Sequence, residues 1–209
     1  MCVPALLALS TVYSCRVIQK AFLHLGPVDA RRLFSTFHDK VHAFNHDING
    51  NHVIVSCIRG MTSCIESAVE SGDPEAASDP LQLIVDTVIA SVEKTSTDRY
   101  GCRIVQHAIE HCVGTQQDAV LDGIMSCHER LVVNQYGNYV VQQVLAHGGR
   151  NHQAAILETL TADGTLLSLS QHKYASNVVE AVLVHGESHH KEKLLEEMLK
   201  VSVAGVPGR

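Results

Sequence analysis

The chain has 209 residues, 45% apolar and 18% charged, enough to bury a core and not the balance of a disordered tail. Its formal net charge of −6 argues against a protein held to nucleic acid by bulk positive charge, though not against one that reads unstacked bases by local contacts. Seven cysteines, an odd number with no CxxC pair, argue against a disulfide framework or zinc knuckle and fit reduced thiols in a cytosolic or nuclear setting.

The apolar start, Met1 to Cys15, has no basic residue ahead of its apolar run, so it does not read as a signal peptide. No stretch of the chain reads as a membrane span. Instead the N-terminus opens a repeat. Five segments line up: Tyr13-Ser-Cys-Arg-Val-Ile-Gln19, Asn49-Gly-Asn-His-Val-Ile-Val55, Tyr100-Gly-Cys-Arg-Ile-Val-Gln106, Tyr136-Gly-Asn-Tyr-Val-Val-Gln142 and Tyr174-Ala-Ser-Asn-Val-Val-Glu180. The third residue of each serves as a marker: Cys15, Asn51, Cys102, Asn138 and Ser176, spaced 36, 51, 36 and 38 residues apart. A period near 36 is the signature of stacked supersecondary repeats. The surplus in the long interval is assigned to Ser71 to Pro80, whose Gly, Pro, Ser and Asp content predicts an exposed inserted loop.

Within each repeat the pattern is helical. A short apolar lead precedes the marker, as in Leu6 to Ser10 and Leu166 to Ser170. Apolar pairs follow it at helical spacing, as in Val140, Val141, Val144 and Leu145. A second amphipathic segment comes next, His152 to Leu160 and Lys191 to Leu199, and Gly148 and Gly186 between the segments are placed to end the first helix. One such repeat cannot bury its apolar stripe alone, so the expected fold is all-α, a curved α-solenoid of about five stacked repeats with an inner and an outer face. The expected boundaries are 5–40, 41–91, 92–127, 128–164 and 165–200, with a tail at 201–209.

On these motifs the sequence resembles the Pumilio family (PUF repeat proteins). The likeness rests on Ser14-Cys-Arg-Val-Ile-Gln-Lys20, Gly101 to Gln106, Asn134 to Gln142 and Ser170 to Glu180, and spans Ala5 to about Met198. The last two segments look like the sixth and seventh of the family's eight repeats. The chain therefore looks like repeats three to seven, without the first two and the eighth. The resemblance implies a right-handed superhelix and one RNA base read per repeat by three side chains on its second helix. These are the marker, its successor and the residue four after the marker. Residues i and i+4 share a helix face one turn apart and can grip one base edge, while i+1 stacks beside them.

Carried over, Cys15 with Arg16 and Gln19, and Cys102 with Arg103 and Gln106, look like adenine readers. Asn138 with Tyr139 and Gln142 looks like a uracil reader. Ser176 with Asn177 and Glu180 looks like a guanine reader, since a carboxylate accepts from both N1 and N2 hydrogens. Asn51 and His52 depart from the pattern, because Val55 stands where Gln is expected and cannot hydrogen-bond; this position is expected to select weakly. With RNA antiparallel to the repeats, the implied core is 5′-GUANA-3′ within a UGUA-type element. The implied role is cytoplasmic post-transcriptional control through mRNA 3′ untranslated regions, by a monomer without catalysis, with protein regulators recruited to the outer face.

Each residue also has a plainer reading. Cys15 and Cys102 fit small core residues, Glu180 alone fits a solvated helix position, and Tyr13, Tyr100, Tyr136 and Tyr174 read as packing residues. The histidine pairs His38/His42 and His185/His189 show no third ligand, so no metal and no cofactor is expected. No GxSxG, HExxH, phosphate loop or paired-carboxylate pattern points to an enzyme. Two alternatives stay open. One is a degenerate repeat scaffold for protein–protein contacts, and the other is a ribosome-biogenesis relative that binds nucleic acid with little base specificity. With repeat faces expected to lie uncapped at both ends, the isolated chain is expected to be poorly soluble and to bind more weakly than a full array.

Overall fold

In the computed structural model, which describes residues 12–71 and 78–204, the period of the sequence becomes a period of helices. The chain runs through α1 (Val12–Phe22) and α2 (Pro27–Phe34), then a 3₁₀ turn at His38–Lys40 into α3 (Val41–Phe44), α4 (Gly50–Ser71) and α5 (Ser78–Ile89). The third repeat is α6 (Val92–Ser96), α7 (Gly101–His111) and α8 (Thr115–Met125). The fourth is α9 (His128–Val132), α10 (Gly137–His147) and α11 (Arg150–Thr161). The fifth follows a 3₁₀ turn at Ala162–Gly164 with α12 (Leu166–Gln171), α13 (Ala175–His185) and α14 (Ser188–Ala204). Each repeat is thus a short lead helix, a marker helix and a closing helix. The lead of the first repeat, Leu6 to Ser10, lies outside the described residues. No strand occurs among the described residues, and none of their helices is long and apolar enough to cross a membrane.

Three details differ from the sequence expectation. The loop expected at 71–80 is narrowed at both ends by helix. Ser71 still belongs to α4, Ser78 already opens α5, and residues 72–77 lie outside the described residues. Much of the surplus lengthens α4 to 22 residues, twice the 11 of α7, α10 or α13. The tail expected from 201 continues α14 to Ala204. Gly148 and Gly186 do close α10 and α13, but with extended rather than left-handed backbone (φ −78° and −61°).

The chain divides within α8 into two compact units, up to Gly123 and from Ile124 onward. All four phenylalanines of the protein gather in the first unit, where Phe37 meets Phe22, Phe34 and Phe44 at ring-centroid distances of 6.0, 5.3 and 5.9 Å. Edge-to-face approach of this kind adds to the burial of each ring. The second unit is aliphatic: Val140, Val141, Val144 and Leu145 of α10 and Val178, Val179 and Val182 of α13 are all buried.

Marker helices end on side chains from their neighbours, which satisfy carbonyls left without an intrahelical donor. Gln117 donates to the Ile109 carbonyl at 2.7 Å, and Thr62 to that of His111 at 3.2 Å. Gln153 donates to the Leu145 carbonyl at 2.9 Å and to that of His185 at 3.3 Å. Gln117 and Gln153 both stand fifteen residues after their markers.

Helix α1 is seated on α4 by the absence of a side chain. A Cβ on Gly60, inside α4, would collide with the Phe22 carbonyl oxygen. Gly60→Ala should therefore destabilise the chain by about 1–3 kcal/mol through overpacking. Gly123→Ala, whose new Cβ would meet nothing nearer than Val92 at 3.7 Å, should be neutral or stabilising by about 0.5–1 kcal/mol. Thermal unfolding of the two variants decides this; a Gly60→Ala midpoint no lower than that of Gly123→Ala refutes the seating.

Candidate functional site

What positions the markers of the second to fifth repeats is the side chain four residues before each of them. Asp47 Oδ1 accepts from the backbone N–H of Asn49 at 2.9 Å and of Gly50 at 2.6 Å. Asp98 Oδ1 accepts from Tyr100 at 2.8 Å and Gly101 at 2.7 Å. Asn134 Oδ1 accepts from Tyr136 and Gly137, both at 2.9 Å. His172 Nδ1 accepts from Tyr174 and Ala175, both at 3.2 Å, which requires the tautomer with its hydrogen on Nε2. These turns satisfy N–H groups that the start of a helix leaves unpaired. The turn is pressed against the lead helix: a Cβ on Gly101 would stand 2.6 Å from the Thr95 carbonyl oxygen.

Burial alone would raise the Asp98 pKa. The hydrogen bonds from Gly101 and Tyr100, together with His46 at 3.3 Å from Oδ2, outweigh it and hold the carboxyl below its ordinary value of 3.8.

The three positions of each repeat divide by exposure. Markers Cys15, Asn51, Cys102 and Asn138 are buried, and Ser176 is half-buried. Their successors Arg16, His52, Arg103 and Tyr139 are exposed, and Asn177 is half-buried. Gln19, Val55, Gln106 and Gln142 are half-buried and Glu180 is exposed. Burial raises the thiol pKa of Cys15, with the Asp47 charge adding to it. Burial likewise raises that of Cys102 against the opposing pull of Arg103, so both stay neutral thiols. The plainer reading of the cysteines as small core residues therefore holds for most of their surface. Tyr13 corrects the expectation of a packing role, since it is 84% exposed, whereas Tyr100, Tyr136 and Tyr174 are half-buried.

Asn138 shows how a marker works. Its Nδ2 donates to the carbonyls of Asn134 (2.9 Å) and Gln135 (3.1 Å), so both amide hydrogens are committed to the turn. Only Oδ1 is left to the site, where it accepts from Gln142 at 3.0 Å and Asn177 at 3.4 Å. Asn51 repeats the first half, donating to the carbonyls of Asp47 and Ile48, both at 2.8 Å. Val55 cannot supply the second half, and Asn51 Oδ1 is buried without a hydrogen-bond partner among the described residues. In the third repeat Gln106 donates to the Cys102 carbonyl at 3.0 Å.

In the second unit these side chains line a groove of about 310 Å³, walled by Tyr139, Gln142, Asn177, Glu180, Ala181, Val184 and His185. The aromatic face of Tyr139 and the Asn177 amide flank it, with an amide and a carboxylate on its polar side. In the first unit burial lowers the His52 pKa and the Arg103 charge lowers it further, so the stacking candidates of α4 and α7 lie within electrostatic reach.

Sequence reasoning missed the anchors Asp47, Asp98, Asn134 and His172, although all four stand at one register, two residues ahead of the aligned segments. It missed the groove residues Ala181, Val184 and His185, and two further histidine pairs at helical spacing, His42 with His46 and then His107 with His111. Glu110 joins that pair, within 3.4 Å of His107 and 3.6 Å of His111.

A family model described as the Pumilio-family RNA binding repeat matches residues 12–35, 92–125, 130–161 and 166–199; none of these covers α4. Among solved structures, PUF-8 in complex with PBE-RNA is 30% identical, covering 90% of this chain and 51% of its own at a TM-score of 0.78. The Puf3 RNA binding domain bound to a Cox17 RNA 3′ UTR recognition sequence is 29% identical, covering 90% and 50% at 0.74. A Puf4 mutant bound to the Cox17 sequence, at 18% identity and TM-score 0.78 over 98% of this chain, shows the fold alone. The fold is thus the all-α PUF repeat solenoid. The chain spans about half the length of these solved relatives. Comparison with curated proteins gives no match.

The site makes two stability predictions. Val55→Gln should supply the missing donor to Asn51 Oδ1 and stabilise the chain by about 1 kcal/mol in chemical denaturation; a loss of stability refutes the pairing. The Asp98 contribution should be complete above its ordinary pKa of 3.8 and be lost as pH falls through the lower folded value. Asp98→Asn keeps an acceptor in the turn, as Asn134 does, and should lessen the loss of stability at acid pH. An unchanged acid profile counts against the assignment.

Proposed function

The chain belongs to the Pumilio family of RNA-binding repeat proteins, and on that premise we propose that it binds single-stranded RNA sequence-specifically, one base to a repeat. The groove between Tyr139 and Asn177 carries this reading. A base ring entering there stacks on the tyrosine face and the amide plane, worth about 1–3 kcal/mol per base. Glu180 accepts from N1–H and N2–H of guanine, a pair that no other common base offers. Gln142 releases Asn138 and donates to a uracil carbonyl oxygen, which frees Asn138 Oδ1 to accept from uracil N3–H.

With Cys15, Arg16 and Gln19, and Cys102, Arg103 and Gln106, assigned to adenine and the Asn51–His52–Val55 repeat left unselective, the proposed core is 5′-GUANA-3′ in a UGUA-type element. The solved relatives PUF-8 and Puf3, both described as RNA complexes, support the ligand class. The proposed role is mRNA 3′ UTR binding for post-transcriptional regulation in the cytoplasm, as a monomer that recruits protein regulators and performs no catalysis. The readers are mostly neutral and the net charge is −6, so recognition leans on stacking and base-edge contacts more than on phosphate neutralisation.

Binding to a short RNA containing UGUAAA, measured against the same RNA with G replaced by C, tests this. Equal affinities refute sequence-specific binding. Ser176→Asn combined with Glu180→Gln should move the preference at that position from G to U, and an unmoved preference refutes the register.

A further inference from the structure

Helix α7 carries a cluster that base reading does not use. His107, Glu110 and His111 stand five, eight and nine residues after the marker Cys102. One ligand atom from each lies within 4.8 Å of the others. His107 Nδ1 is 3.4 Å from Glu110 Oε2, and His111 Nε2 is 3.6 Å from the same oxygen. We propose that these three side chains form a binding site for a zinc-class divalent cation.

The geometry fits that chemistry. Zinc bonds of about 2.0–2.2 Å to imidazole and carboxylate set neighbouring ligands about 3.3–3.6 Å apart in a tetrahedron. Both histidine–carboxylate edges already have that length. The rings lie parallel, with centroids 5.5 Å apart and planes 2° from coincidence, one helical turn from each other. The remaining edge, between the two histidine nitrogens, is no longer than 4.8 Å and has to shorten when an ion binds. His107 Nδ1 is a buried atom that makes no well-formed hydrogen bond among the described residues, and the nearby Glu110 carboxylate is the group it faces. Imidazole with carboxylate suits zinc better than calcium or magnesium. Three protein ligands leave a fourth position for water or another oxygen donor. Arg59 and Arg103 lie close enough for their charges to act on His107 and work against a cation, and the Glu110 carboxylate counters them.

The cluster is particular to this helix. At the same offsets α4 has Ser56, Arg59 and Gly60, and α10 has Gln143, Ala146 and His147. In α13 they are Ala181, Val184 and His185, which line the groove. The cation site therefore occupies, on α7, the positions that form the groove wall on α13.

The test is metal titration of the chelator-treated chain without RNA, so that its outcome is independent of the proposed RNA binding. Zn²⁺ binding is followed by calorimetry and Co²⁺ binding by visible absorption. The expected result is one ion per chain, tetrahedral Co²⁺ bands and no thiolate charge-transfer band. His107→Ala and Glu110→Gln should each weaken binding by about tenfold or more, while His38→Ala should leave it unchanged. Circular dichroism reports whether each variant folds, and Glu110→Gln preserves side-chain volume should the histidine variant fail. No binding, a thiolate band, or binding undiminished in every folded variant overturns the site.

Discussion

Everything at the marker helices hangs on two hydrogen bonds made before the helix begins. A lone-pair acceptor four residues ahead of the marker takes the N–H groups that the helix start cannot pair. Asp47, Asp98, Asn134 and His172 all do this, so the turn requires an acceptor in the right place and not a particular charge. The two aspartates add a favourable charge at the positive end of the helix dipole. Because the acceptor and the marker are four residues apart, the group that sets the helix and the marker side chain share one turn.

From that turn follows a division of labour. Asn138 and Asn51 spend their amide hydrogens on the turn itself and keep only an oxygen for the site. The more accessible surface is supplied by the residues after them, Tyr139 and Gln142 in one case, His52 and Val55 in the other. In the first case the amides satisfy one another in the absence of ligand. In the second an oxygen is left buried and unpaired, a cost that folded proteins seldom carry. A valine at this position thus leaves the residue beneath it unpaired and, on the proposed function, offers a base no hydrogen bond.

The repeat was legible because it is copied. Apolar spacing after Cys102, Asn138 and Ser176 recurs closely enough to place α7, α10 and α13 without tertiary information. What was not copied was harder to see. Phe22, Phe34, Phe37 and Phe44 look unrelated in sequence and meet only once α1, α2 and α3 have packed. The stretch after Ser71 is rich in loop formers, and that composition hid the helix running up to it. Tyr13 shares a sequence position with the half-buried Tyr100, yet exposure is decided by neighbours that alignment does not report. The anchors differ in residue type, so their common role appears only in the hydrogen bonds. His107, Glu110 and His111 were overlooked because a pair of histidines suggests little until a carboxylate is seen between them.

The doubled length of α4 bears on how such a chain tolerates growth. Its origin is pinned by Asp47 and the residues facing the site lie within about a turn and a half of it, while the added turns lie toward Ser71. A helix measured from a fixed start can be extended at its far end without shifting the zero of the scale. Insertions there change the reach of the element and leave the register of Asn51 and His52 untouched. Evolution, or an engineer attaching a new module, has one end of each marker helix to work on and should leave the other alone.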